Sequence, residues 1–168
     1  MLTKFFDITF LQSIIATGIG VILGIPAALW VNSLIDKASE LERKRKVLTV
    51  LKNELFADKL IIDEAGKYQV NEGFILPLLL RTETWKAFSD GGDLQWIKDP
   101  ELLGTLSETY HEISSLARLS NERFDIAYFS PHHHAAVANK LNTEYSTLYD
   151  RTYNTILETL KVLENKLM

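Results

Sequence analysis

The sequence predicts an all-α fold in which an N-terminal transmembrane helix continues into a cytosolic antiparallel helical bundle. Two observations lead to this prediction. Residues 8–35 form a 28-residue run without a charged side chain, and the later segments repeat apolar residues at steps of three and four. No stretch alternates apolar and polar residues with the period of two that a half-buried strand requires.

The first 36 residues are predicted to be a short tail and a single membrane anchor. About 20 apolar residues, each rising ~1.5 Å, cross a ~30 Å hydrocarbon core, so the charge-free run is long enough. Trp30 at one end and Phe5 and Phe6 at the other are typical of lipid–water interfaces. A cleaved signal peptide is disfavoured, because the run is too long and no small-residue cleavage site follows it.

Basic residues flank this anchor unequally. Lys4 precedes it, whereas five basic residues follow within residues 37–46, so residues 37–168 are predicted to lie in the cytoplasm. The N-terminus is then predicted to lie on the outer side of the cell (inner) membrane. Four of the basic residues are predicted to contact lipid headgroups: Arg43, Lys44, Arg45 and Lys46. Nucleic acid is not an expected partner, because residues 47–168 carry 18 acidic against 12 basic side chains.

Small residues follow one another along the anchor at four-residue spacing. They are Ala16, Gly20, Gly24 and Ala28. Such a stripe allows two helix backbones to approach closely in lipid, which predicts a homo-oligomer. A second stripe, which includes Ser13 and Thr17, is the alternative and would suit a helix that faces several neighbours around a pore.

The bundle is predicted to begin with a helix over residues 39–65, continuous with the anchor and ended by Gly66. Its apolar heptads are interrupted by Lys44 and Asp58, which argues against a long autonomous coiled coil. Residues 74–80 are apolar but too short to span a membrane, so a buried connection is expected.

Capping residues mark the remaining helices. Thr82 is predicted to cap a short helix through Phe88, with Trp85 and Phe88 in the core and two glycines after it. Asp99 followed by Pro100 predicts the start of a long helix that runs to about residue 128. Ser130 followed by Pro131 repeats this pattern of a cap residue and a proline, which predicts the start of a last helix that reaches the C-terminus.

Candidate chemistry is sparse in this sequence. The chain has no cysteine, which excludes disulfides and thiolate chemistry. Consecutive helical residues diverge by ~100°, so His132, His133 and His134 cannot all ligate one metal from a regular helix. The turn at residues 90–93 and the Glu108–His111–Glu112 group lack the partner ligands of known metal motifs. We therefore predict no metal and no cofactor.

Three tyrosines recur every four residues along the last helix: Tyr145, Tyr149 and Tyr153. This spacing is typical of the core and rim of a bundle. If the rings are exposed, it is also typical of an anchor stripe for a protein partner.

Two resemblances accompany these patterns. The stretch TETWKAFSDGGDLQWIKDPELL (residues 82–103), together with LKNEL (residues 51–55) and the anchor, resembles a loose group of prokaryotic single-pass membrane proteins. The architecture is similar to that of small membrane effectors of antiviral defence, including CRISPR-associated ones that oligomerise into pores. Some of those carry a HEPN-like bundle with an RNase motif of Arg, four to six residues, then His. Here Arg123 precedes His132 by nine positions.

These observations favour a membrane-anchored, self-associating, non-enzymatic interaction protein with a membrane or cytosolic protein partner. The first alternative is an oligomeric membrane-pore effector of antiviral defence, as the architectural resemblance implies. The second is a HEPN-like or metal-dependent enzyme that uses His111 and the three histidines at 132–134.

Overall fold

The computed structural model describes the backbone of residues 8–72, 75, 77–129 and 135–168, and the side chains of residues 25–66, 75, 77–129 and 137–168. Four α-helices account for nearly all of this part of the chain. They are α1 (Ile8–Glu72), α2 (Glu83–Asp90), α3 (Pro100–Phe129) and α4 (Ala135–Leu167), with a 3₁₀ turn at Asp93–Trp96. No strand occurs among the described residues, so the predicted all-α class is confirmed.

The chain divides into two compact units, Met1–Glu42 and Arg43–Met168. In the first unit the described residues form one helix, the N-terminal part of α1. Where side chains are described, no helix is both long and apolar enough to cross a membrane. Residues 8–24 of the predicted anchor lie outside these described side chains.

The second unit is an antiparallel bundle, and two polar contacts show how α3 and α4 run. At the start of α3, Asp99 Oδ2 accepts a 2.7 Å bond from Lys166 Nζ at the end of α4. At the other end, Arg123 Nε donates to Asn142 Oδ1 at 2.6 Å. The second half of α1 packs against the same pair, and Lys52 Nζ lies 3.0 Å from Glu164 Oε1.

The bundle core is built from one apolar stripe of each long helix. Leu51 and Leu55 of α1, Ile113 of α3, and Ile156 and Leu163 of α4 are all 0% exposed. Burying a leucine or isoleucine side chain contributes about 1.5–3 kcal/mol, so this stripe is the main source of the bundle's stability.

Local capping sets the helix ends in the middle of the chain. Asp99 Oδ1 accepts the Leu102 backbone N–H at 3.2 Å, as the Asp-Pro signal predicted. Thr82 precedes α2 but makes no side-chain cap bond; Glu83 Oε2 accepts the Thr82 N–H instead. Gly91 ends α2, and Gly92 has a φ of 75°, a left-handed conformation that glycine adopts readily.

The predicted stop at Gly66 is wrong, because α1 continues to Glu72. Glycine inside a helix costs roughly 1 kcal/mol relative to alanine, but it does not end the helix by itself. A Cβ at residue 66 would lie 2.6 Å from the Tyr149 hydroxyl, which donates a 2.5 Å bond to the Ile62 carbonyl. The glycine therefore makes room for a contact between α1 and α4.

Candidate functional sites

The described part of the predicted anchor exposes large apolar side chains. Six of them are between 46% and 66% exposed: Ile25, Leu29, Trp30, Val31, Leu34 and Ile35. Because successive helical residues are ~100° apart, these six spread around the whole circumference of the helix. A helix that packs on a soluble domain shows one apolar stripe, whereas an all-round apolar helix needs cover on every side.

The basic cluster at residues 43–46 opens the second unit. Arg45 and Lys46 are exposed, and Lys44 is half-buried. The guanidinium of Arg43 lies 4.9 Å from the centre of the Trp96 ring, a cation–π contact that orients it on the bundle. The predicted lipid contact of these four residues stays a prediction.

A second apolar surface lies on the bundle, on the side of α1 that faces away from the core. We call Phe56 and Leu60 the outer α1 face; they are 52% and 47% exposed. Phe56 and Leu60 are four residues apart and so are neighbours on the helix surface. This surface was not predicted from the sequence, because only the heptad positions that form the core were considered.

Two carboxylates of α1 are buried where the chain enters α2. Asp58 is 0% exposed and Glu54 is 8% exposed. Asp58 Oδ1 accepts the Arg81 backbone N–H at 2.8 Å, and Glu54 Oε2 accepts the Thr84 N–H at 3.2 Å. The pair thus fixes residues 81–84 against α1. The sequence analysis treated Asp58 only as a heptad interruption.

Each carboxylate of this pair also has an oxygen without a partner. Glu54 Oε1, Asp58 Oδ2 and the Tyr110 hydroxyl are buried and make no hydrogen bond within the described residues. Burial is the main cause that raises the pKa of Asp58 from its ordinary value near 3.8 to about 7, and the Glu54 charge adds to it. The Arg81 N–H bond opposes this rise. Burial and the nearby Glu54 also raise the pKa of Tyr110.

The acidic pair is not arranged as a metal site. No group of three or more His, Asp or Glu side chains within the described residues is placed to hold a metal ion. Because both carboxylates accept backbone N–H bonds, their geometry supports a structural link between α1 and α2.

The three tyrosines of α4 contact the bundle itself. Tyr145 is 3% exposed, and the Arg123 guanidinium lies 4.5 Å from its ring centre. Tyr149 is half-buried and bonds the Ile62 carbonyl. Tyr153 is also half-buried, with Lys59 Nζ 5.5 Å from its ring centre. The rings of all three tyrosines contact other helices of the bundle. These contacts agree with the interpretation in which the tyrosines belong to the core and rim of the bundle.

Several predicted residues lie outside the described side chains. They are Ala16, Gly20, Gly24, His132, His133 and His134. Ala28, the last member of the small-residue stripe, is exposed. His111 is exposed on α3, whereas Glu112 is buried. Glu112 forms an ion pair with Arg151, and the distance from Oε1 to Nε is 2.8 Å.

Comparisons with known proteins add no relative. No protein-family model matches the chain, and no curated protein or solved structure matches it.

Proposed function

We propose that the protein is a membrane-anchored, self-associating interaction protein whose role is not enzymatic. The observation that carries the proposal is the ring of exposed apolar side chains at residues 25–35. Their spread around the helix is the pattern expected of a lipid-embedded segment. The charge-free run extends over residues 8–35, which is long enough to cross a bilayer.

The basic cluster supports a cytoplasmic position for the bundle in this proposal. Positive residues within about 15–20 residues of a span favour the cytoplasmic side. Arg45 and Lys46 are exposed at the start of the bundle, where they can reach anionic headgroups.

The partner contact of the bundle is assigned to the outer α1 face. Its two apolar side chains are exposed on a helix whose opposite side forms the core. Aromatic side chains such as Phe56 are enriched in protein interfaces. This surface replaces the tyrosine stripe as the proposed point of contact, because Tyr145 is buried.

Membrane fractionation of the full-length chain in bacterial cells tests the anchor. We expect the protein in the membrane pellet after alkaline carbonate extraction. Ile22→Arg should move it toward the supernatant, since an arginine near the middle of a span costs about 3 kcal/mol. Leu60→Arg on the bundle is the matched control and should leave the fraction in the pellet unchanged. Wild-type protein that stays soluble without detergent would contradict the proposal.

Light scattering of the protein in mild detergent tests self-association. Gly20→Ile combined with Gly24→Ile should reduce the native mass to that of a monomer, because bulk on the stripe prevents close helix approach. Gly18→Ile is the matched control, since residue 18 lies ~160° from residue 20 around the helix. A wild-type monomer would contradict self-association. A ring of six or more copies that collapses the membrane potential would replace the interaction role with the pore alternative.

The same purification tests the partner surface. A protein that co-purifies in fixed stoichiometry should be lost from Leu60→Arg, whose anchor is intact. A partner retained by Leu60→Arg and by Phe56→Arg would show that the contact lies elsewhere.

A further inference from the structure

An open groove of about 390 Å³ lies between α3 and α4, away from the acidic pair and the outer α1 face. Ser115, Arg118 and Leu119 line it from α3. Thr147, Arg151 and other residues line it from α4. The groove thus brings two guanidinium groups from neighbouring helices to one polar concavity whose volume is in the range of small-molecule sites.

Arg151 is held in position at this groove by a buried carboxylate. Its Nε lies 2.8 Å from Glu112 Oε1, and the Glu112 side chain is only 7% exposed. The Arg151 side chain is 64% exposed, so it can reach a ligand from solvent while its Nε pairs with Glu112. A buried carboxylate is costly without its ion pair, so this contact keeps the arginine at the groove.

Arg118 is the second guanidinium, and it has no internal partner. It makes no hydrogen bond, ion pair or ring contact within the described part of the chain. Arg123, one turn further along α3, differs in this respect because it bonds Asn142 and covers the Tyr145 ring. Arg118 therefore has all its donors available.

One hydroxyl of the groove wall is available to donate to the same ligand. Thr143 and Thr147 donate their protons to helix carbonyls four residues back, so these hydroxyls have no proton left for a phosphate oxygen, which is itself an acceptor. Ser115 is half-buried in the groove wall and supplies the hydroxyl that can donate. Glu144 also lines the groove, but Lys140 Nζ lies 3.7 Å from its carboxylate. Because Arg151 is paired with Glu112, Arg118 is the guanidinium of this groove that has no carboxylate partner within the described residues.

We propose that this groove binds a small ligand through a phosphate monoester, with Arg118 and Arg151 as the phosphate-binding residues and Glu112 as the positioning residue for Arg151. Guanidinium groups match phosphate oxygens with paired N–H donors, which distinguishes them from lysine. This inference does not depend on the anchor. It adds a ligand site to the bundle, and the ligand is either a soluble phosphate ester or a phosphomonoester lipid headgroup.

Calorimetric titration of the full-length protein in non-ionic detergent tests this site. The probes are adenosine monophosphate for a soluble ester and dihexanoyl phosphatidic acid for a headgroup. We expect saturable binding of at least one probe, weakened at least tenfold by Arg118→Gln and by Arg151→Gln. Lys161→Gln on the exposed side of α4 is the charge-matched control and should bind as the wild type does. Binding of only one probe identifies the source of the phosphate.

The positioning role of Glu112 is tested by a double-mutant cycle with Arg151. Glu112→Gln should weaken binding in the wild type but cause no further loss in the Arg151→Gln background. The double variant also avoids an unpaired buried carboxylate and so preserves the fold. The proposal is overturned if neither probe binds saturably, or if Arg118→Gln and the double variant bind with wild-type affinity.

Discussion

Leucines of one helix occur in two opposite environments. In α1, Leu51 and Leu55 are 0% exposed, whereas Leu29 is 64% exposed. The bundle part covers its apolar stripe with α3 and α4. Residues 25–35 belong to a unit in which the described residues form a single helix, so no other described element of that unit covers them. The difference shows that the apolar residues of one helix form a core only where other helices pack on them.

The largest expected change in stability distinguishes a core leucine from an exposed leucine of the same helix. Leu51→Ala should lower the free energy of unfolding of the bundle by about 3–4 kcal/mol, because it leaves a cavity in a packed core. Leu29→Ala should change it by less than about 0.5 kcal/mol, as surface substitutions do. Urea unfolding of the full-length chain in detergent, followed by near-UV circular dichroism, measures both. Equal losses would show that Leu29 is packed on the bundle.

A smaller effect concerns the buried acidic pair, whose polar side chains lie at the core side of the same helix. The pKa of Asp58 is raised to about 7 in the folded bundle, so the folded state binds its proton more tightly than the unfolded state. Its contribution to stability is therefore complete below about pH 4 and is lost as the pH rises to about 7. A shift of this size corresponds to at most about 4 kcal/mol.

Asp58→Asn keeps the acceptor for the Arg81 N–H and removes the charge. We expect this variant to be more stable than the wild type by about 1–3 kcal/mol at pH 8 and to lose most of the pH dependence between pH 4 and 7. Glu64→Gln, at an exposed carboxylate of the same helix, is the control. Parallel pH profiles for Asp58→Asn and wild type would show that Asp58 is ionised in the folded state.

The smallest expected change in stability concerns Gly66, where α1 and α4 meet. Gly66→Ala should destabilise the wild type, because the new Cβ meets the Tyr149 hydroxyl. In the Tyr149→Phe background the hydroxyl is gone, and the same substitution should stabilise by up to about 1 kcal/mol through helix propensity. Thermal unfolding of the four proteins measures the coupling. The same sign in both backgrounds would show that the close contact does not control residue 66.

Part of the fold was predictable because its causes are local. The helix start at Asp99-Pro100 depends on a cap bond to Leu102, three residues away, and the apolar stripes depend on helical periodicity. The same local reasoning failed at Gly66, where the reason for the glycine is Tyr149 on another helix. It also missed the function of Asp58, whose partner is the backbone at residue 81.

The amino-acid pattern alone was enough for the all-α class and for the starts of α2 and α3, because each depends on residues within one or two helical turns. The fold placed the buried pair at the start of α2, buried Tyr145 and brought Arg118 and Arg151 to one groove. These features join residues more than twenty positions apart, and helix packing sets such distances where sequence spacing does not.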